Sequence, residues 1–129
     1  MARTITNWKD QPDDHDYPAA ETYLTLLMPR ASARKIVTRM RKAPLEHWKA
    51  KDILRASRLP LLPPESFHVA KDLKKVNAGK KLSPALLVRG RLTANFPLTI
   101  ADGYYRICAS CHLDEETEIP CRMADPEKT

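Results

Sequence analysis

Glycine is scarce in this chain, three residues in 129, against eleven prolines. That balance argues against floppy linkers and points to short elements joined by stiff corners. Aromatic residues are also few, at 6%, so the core must be mainly aliphatic. No apolar run is long. Tyr23–Met28 holds six uncharged residues before Pro29, far short of the ~20 that a membrane-spanning helix needs. The first residues, Met1 to Trp8, contain no apolar h-region, so no secretory signal is expected. Cysteine is limited to Cys108, Cys111 and Cys121. An odd number without an export signal argues against a disulfide framework and for a reducing, cytoplasmic setting.

What the chain does have is positive charge, unevenly placed. The net charge is +6; residues 30–58 carry ten Lys/Arg against Glu46 and Asp52, and residues 113–129 carry six acids against Arg122 and Lys128. A basic stretch of that density attracts phosphate on nucleic acid, a nucleotide or a membrane surface. The plainer reading is a solvated helix face.

Residues 1–16 read as a polar N-terminal arm. Asp13-Asp14-His15-Asp16 suits metal ligation or, in the preferred reading, a helix cap, with Asp16 accepting backbone N–H bonds ahead of Pro18. Residues 17–47 read as a helical extension. Ala20, Tyr23, Leu24, Leu27 and Met28 share one helical face, predicting a helix over 18–28 that Pro29 stops. Ser32 is a natural N-cap for a second helix reaching Lys42. Its inward face is Ala33, Ile36, Val37 and Met40, while Arg34, Lys35, Arg39, Arg41 and Lys42 take the remaining surface. The stretch 45–57 is ambiguous between continuous helix and a break near Lys51. Leu59–Pro64 is too proline-rich for regular helix or central strand and reads as an extended segment over the core.

A third helix is expected over 65–78, with Val69, Leu73 and Val76 inward and Gly79 as its stop. Then the period changes. Pro84–Arg89 is a nearly continuous apolar run, as in a buried strand. A loop over 90–96, a strand over 97–101, a helix over 104–113 and a strand over 118–122 follow, the last placed at an edge or made irregular by Pro120. This order predicts an α/β (α+β) domain over 48–123, a small mixed sheet with packed helices. Two helices precede it and a polar tail, 124–129, follows.

The junction Asp102-Gly103-Tyr104-Tyr105-Arg106 has a chemical rationale. A strand ends, a glycine permits a conformation that a Cβ would obstruct, and a helix begins with unpaired N–H groups that suit an anion. Arg106, in the first turn, has the fork geometry for a phosphate, and Asp102 can cap the helix or orient a hydroxyl. The rival reading is an ordinary strand-to-helix junction. Downstream, Cys108-Ala109-Ser110-Cys111-His112 spells a haem-attachment pattern, but no export signal accompanies it. Cys108, Cys111, His112 and Cys121 are four potential zinc ligands. Tyr104, Ile107, Cys108 and Cys111 also form a core-facing stripe, in which cysteine acts as a small hydrophobe. The stripe is preferred, so no metal is assigned.

Four stretches share an order with a known superfamily. Lys80-Lys81-Leu82-Ser83-Pro84-Ala85-Leu86-Leu87-Val88-Arg89 resembles the ParB-box stretch in which a proline begins a strand ending in Val-Arg. Gly103, Arg106 and Ala109 are similar to the G-x-x-R-x-x-A signature of ParB and sulfiredoxin-like proteins. Glu118-Ile119-Pro120-Cys121 resembles their closing strand, and Lys51-Asp52-Ile53-Leu54 their opening element. The resemblance covers 48–123 and implies that a nucleotide phosphate sits at Asp102–Arg106, contacted by Gly103 and Arg106, with magnesium as the accompanying ion. It also marks departures. Tyr104 and Tyr105 stand where sulfiredoxins carry Cys and His, so sulfiredoxin activity is expected to be absent. Kinase-like members place His before the Arg, and Tyr105 is a poor general base at neutral pH. ParB partition proteins continue into a helix-turn-helix domain, for which residues 124–129 leave no room.

Three readings of function follow. The first is a nucleotide- or phosphate-binding domain of unassigned reaction. The second is a DNA-associated accessory protein using the basic 30–58 region, with Arg34, Lys35, Arg39, Arg41 and Lys42 as contacts. The third is a protein-interaction module. No membrane partner is expected.

Overall fold

The computed structural model describes residues 7–126. Ten elements follow one another: α1 (Asp16–Leu24), α2 (Arg30–Lys42), β1 (Leu45–Lys49), α3 (Ala50–Ser57), α4 (Phe67–Asn77), β2 (Ala85–Val88), a short 3-10 turn (Leu92–Ala94), β3 (Thr99–Asp102), α5 (Tyr104–Leu113) and β4 (Glu118–Ala124). The expected α/β architecture is present: five α-helices around a four-stranded mixed sheet of order β1-β4-β2-β3. β4 runs parallel to β2, and the outer pairs, β1 with β4 and β2 with β3, are antiparallel. None of the described helices is long and apolar enough to cross a membrane.

β2 explains the layering. All four of its residues are buried, as a strand covered on both faces requires. Ala85 and Leu87 point into a core shared with Ile53, Val69, Ile107 and Cys108 from α3, α4 and α5. Leu86 and Val88 point the other way, against Tyr17, Leu24, Ile36 and Met40 from α1 and α2. The two N-terminal helices therefore cover one face of the sheet over β2, β3 and β4. The ambiguous stretch resolves as strand β1 followed by α3, whose buried Ala50, Ile53, Leu54 and Ser57 keep helical spacing.

Several expectations are corrected. The first helix begins at Asp16 and ends at Leu24, and its buried face is Asp16, Tyr17, Ala20 and Leu24. Tyr23 and Leu27 are exposed. Asp16 does not cap it; the cap position is His15, and no side chain caps the helix. The second helix starts at Arg30 after Pro29, so Ser32 lies inside it, although Ala33, Ile36, Val37 and Met40 are buried as expected. The strand carrying Pro120 is not an edge. β4 lies between β1 and β2. Pro120 pairs with His47 of β1, and the rungs with β2 start only at Cys121, so Pro120 stands outside that ladder. Of the proline-rich segment, Leu62 packs on the core, while Leu59 and Leu61 are exposed. Of the polar arm and the tail, residues 1–6 and 127–129 lie outside the described residues.

Two local features position the candidate site. Trp8 bridges Leu82 in parallel, with Lys9 N–H donating to the Leu82 carbonyl (2.8 Å) and Leu82 N–H to the Asn7 carbonyl (2.8 Å). This pairing brings residues 13–16 to the start of β2. The β2–β3 register shifts between Leu86 and Leu87, which sets Asp102 opposite Leu86, on the sheet face that α1 covers. Such bulges re-aim side chains beside functional sites.

Candidate functional site at the Gly103 turn

Gly103 has φ +107° and precedes α5, whose first turn has no side-chain cap. The left-handed conformation and the close packing both select glycine: an added Cβ would lie 2.9 Å from Arg106 Nη2 and 3.1 Å from Ala85 Cβ. Tyr104, Tyr105 and Arg106 form the helix's first turn. Tyr104 leans on the proline-rich segment, its hydroxyl donating to the Pro60 carbonyl (2.5 Å). Burial raises its pKa, with Cys108 nearby adding to the shift. Tyr105 is half-exposed and stacks on His68 of α4 at 4.4 Å between ring centroids.

Arg106 turns inward. Its Nε donates to the Ser83 carbonyl (2.8 Å), and its Nη2 to the Pro84 carbonyl (3.3 Å) and Asp102 Oδ2 (3.1 Å). Asp16 Oδ2 lies 3.9 Å from the same nitrogen. The Ser83 hydroxyl in turn donates to Asp16, and Asp13 N–H reaches both Ser83 Oγ (3.0 Å) and Asp16 Oδ2 (3.1 Å). Arg106 thus ties three chain segments together: the start of α1, the entry to β2 and the Gly103 turn. Asp102 is the arginine's partner and not a cap of α5.

The site is rich in carboxylates. Burial holds the Asp102 pKa above the usual carboxylate range; Arg106 opposes this, and neighbouring Asp16 reinforces it. The Asp72 carboxyl on α4 is likewise pushed up by burial, against the pull of Lys75, Arg106, Lys71 and His68. Asp13, bonded to Lys9 Nζ at 2.8 Å, is held below its usual value by that bond. Among the described residues, Asp13, His15 and Asp16 form the only trio of potential metal-binding side chains with ligand atoms within 4.8 Å of one another. No three of Cys108, Cys111, His112 and Cys121 gather in this way. Cys108 and Cys121 are buried free thiols, His112 Nε2 lies 2.6 Å from the Leu62 carbonyl oxygen, and burial pushes the Cys121 thiol up to about 12.

Asp72 gives a signed prediction. Its folded pKa is raised, so the folded state holds that proton more tightly than the unfolded chain, and its burial opposes folding once the group ionises. That opposition is absent below the unfolded value of 3.8 and complete above the raised folded value. Asp72→Asn is therefore expected to be more stable than the parent near neutral pH. The difference should vanish as pH falls toward 3.8. Urea unfolding across that range measures it.

The basic residues on α2 are spread rather than convergent. Arg34, Lys35, Arg39, Arg41 and Lys42 are all exposed. The Arg41 guanidinium sits 4.2 Å over the Tyr17 ring, and Arg39 Nη1 donates to the Asp125 carbonyl (3.1 Å). Sequence reasoning placed no weight on Ser83, Asp72 or His68 as site residues; no local signal marks them, because they arrive from β2's entry and from α4. Comparison of the chain with protein-family models, with curated proteins and with solved structures finds no match.

Proposed function

We propose that this protein binds a phosphate group, as part of a nucleotide, at the N-terminus of α5, on a ParB/sulfiredoxin-like scaffold. The observation that supports this most directly is the left-handed Gly103 opening into a helix whose first turn no side chain caps, since such N–H groups attract anions. Arg106 in this reading acts chiefly as a positioning residue. Its hydrogen bonds to described residues use Nε and Nη2. The surrounding carboxylates, Asp13, Asp16 and Asp102, would repel a bare anion. They fit a phosphate that arrives with magnesium, whose preference is for hard oxygen donors shared with substrate phosphates. Asp13 and Asp16 are the residues that would hold the ion. No reaction is assigned; burial raises the Tyr104 pKa, which takes that phenol further from a base's range.

Calorimetric titration with ATP, CTP and GTP tests the reading. At least one is expected to bind with magnesium present and to lose most of its affinity with EDTA. Tyr105→Glu, which puts a negative charge in the first turn at a half-exposed position, is expected to weaken binding about two- to fivefold by opposing the helix-end field. Absence of binding by all three nucleotides, or indifference to Tyr105→Glu, would rule the site out.

A further inference from the structure

A second surface lies at the other end of the sheet. β2 runs from Ala85, beside Gly103, to Val88, and the chain leaves it through Arg89 and Gly90. There, beneath the 90–98 connection, is an open cleft of about 610 Å³. Trp48, Phe96, Arg55, Arg58 and Arg89 all line it, with Asp52 its single acid. Trp48 is 41% exposed and Phe96 64%, so two aromatic side chains are accessible to solvent within one basic cleft.

The cleft does not end at Arg89. Arg89 Nε pairs with Asp125 Oδ1 at 2.6 Å. Asp125 also lines a second open depression with Arg34, Lys35 and Arg39 of α2. Across both surfaces six basic side chains face two acids, a formal +4. The pairs Arg55–Asp52 (3.2 Å) and Arg89–Asp125 (2.6 Å) are solvent-exposed, and exposed pairs are weak enough for phosphates to displace. Beside the cleft, α3 and the 3-10 turn both end in left-handed caps that are tied together. Arg58 and Asn95 are the described non-glycine residues with positive φ, at 58° and 57°, and Arg58 Nη2 donates to Asn95 Oδ1 at 2.7 Å. Leu98 N–H donating to the Ala56 carbonyl (3.0 Å) ties the same connection to α3.

From this geometry we infer that the Trp48–Phe96 cleft and the adjoining α2 face form one track for single-stranded nucleic acid. Cations follow the backbone phosphates, and the two exposed rings stack unpaired bases. A duplex keeps its base faces stacked on one another and cannot use the rings. The track is separate from the Gly103 turn and stands or falls independently of it.

Fluorescence anisotropy with labelled oligothymidylate, oligouridylate and a mixed-sequence duplex tests the inference, using the full chain at low salt. At least one single strand is expected to bind more tightly than the duplex, with affinity falling steeply as salt rises. Trp48→Ala and Phe96→Ala, read separately so that neither fold depends on the other, should each weaken that binding about tenfold. Arg34→Glu should weaken it clearly more than Lys74→Glu, which changes net charge equally but lies on α4, away from the track. Equal or tighter duplex binding, no binding of either strand, indifference to both aromatic variants, or equal loss from Lys74→Glu would each overturn the proposal.

Discussion

Arg106→Ala is expected to destabilise the protein by about 3–5 kcal/mol, the usual result of removing one member of a buried charged network. The arginine is well shielded, with its side chain 18% exposed and Asp16 beside it at 4%. Its loss leaves the Ser83 and Pro84 carbonyls without their donor and Asp102 without its cation. Asp16 keeps its bonds from Ser83 and Asp13 but loses the nearby positive charge. Arg106→Lys should fall between the two, since an ammonium restores the charge but not the planar fork that serves a carbonyl and a carboxylate together. Denaturant unfolding followed by circular dichroism decides it. A parent-like midpoint for the alanine variant would show that the network does not hold the three segments together. The result also governs how the phosphate site can be probed. Lost nucleotide binding in an Arg106→Ala protein would report unfolding as readily as a missing contact, which is why Tyr105→Glu is the cleaner variant.

The elements that could be read from the sequence are those whose environment is uniform along their length. β2 is buried on both faces, so its apolar run is unbroken. α2 packs one face on the sheet, and the residues at that spacing are the ones buried. Gly79 has φ +76° just past the end of α4 and does what a glycine there implies. Most of the misreadings have a tertiary cause; Ser32 has a local one, since Pro29 already starts the helix. Asp16 and Ser32 have the chemistry of good caps, but Asp16 is drawn to Ser83, 67 positions away in sequence. Pro120 argued for an edge or an irregular strand because a strand's proline forfeits a ladder bond; the edge alternative fails, since β4 is internal and its rungs with β2 begin one residue later. β1 was hidden because it has a partner on one side only and exposes His47, Trp48 and Lys49.

The candidate site divides in the same way. Asp102 to Arg106 is contiguous, and its strand–glycine–helix order is visible without coordinates. What surrounds it is not. The parallel bridge between Trp8 and Leu82 and the shifted β2–β3 register deliver Asp13, Asp16 and Asp102 to one place. Neither follows from local patterning. Arg106 was expected to reach outward because arginine in a helix's first turn beside a glycine suits phosphate. Two carbonyls and two carboxylates pull it inward instead, and desolvated partners of that number outcompete solvent for a guanidinium.

Gly103→Ala carries the other large expected effect, about 2–3 kcal/mol of lost stability, at the upper end of what a single strained backbone position costs. Two terms add. An alanine must hold φ near +107°, in a region that L side chains disfavour. Its Cβ must also fit 3.1 Å from Ala85 Cβ and 3.3 Å from Ala85 Cα. Arg106 Nη2, at 2.9 Å, belongs to a long side chain and can retreat, though only by loosening its bond to Asp102. Ala85 cannot, because it begins the β2 ladder with β4 and is fully buried. Relief therefore has to come from the turn itself, by moving the first N–H groups of α5 away from their present aim. A partly compensated variant should then remain folded but bind nucleotide poorly. Thermal unfolding and calorimetry on the same preparation separate the two effects. An alanine variant with parent-like stability and parent-like binding would mean that neither the left-handed turn nor its contact with Ala85 matters to the site.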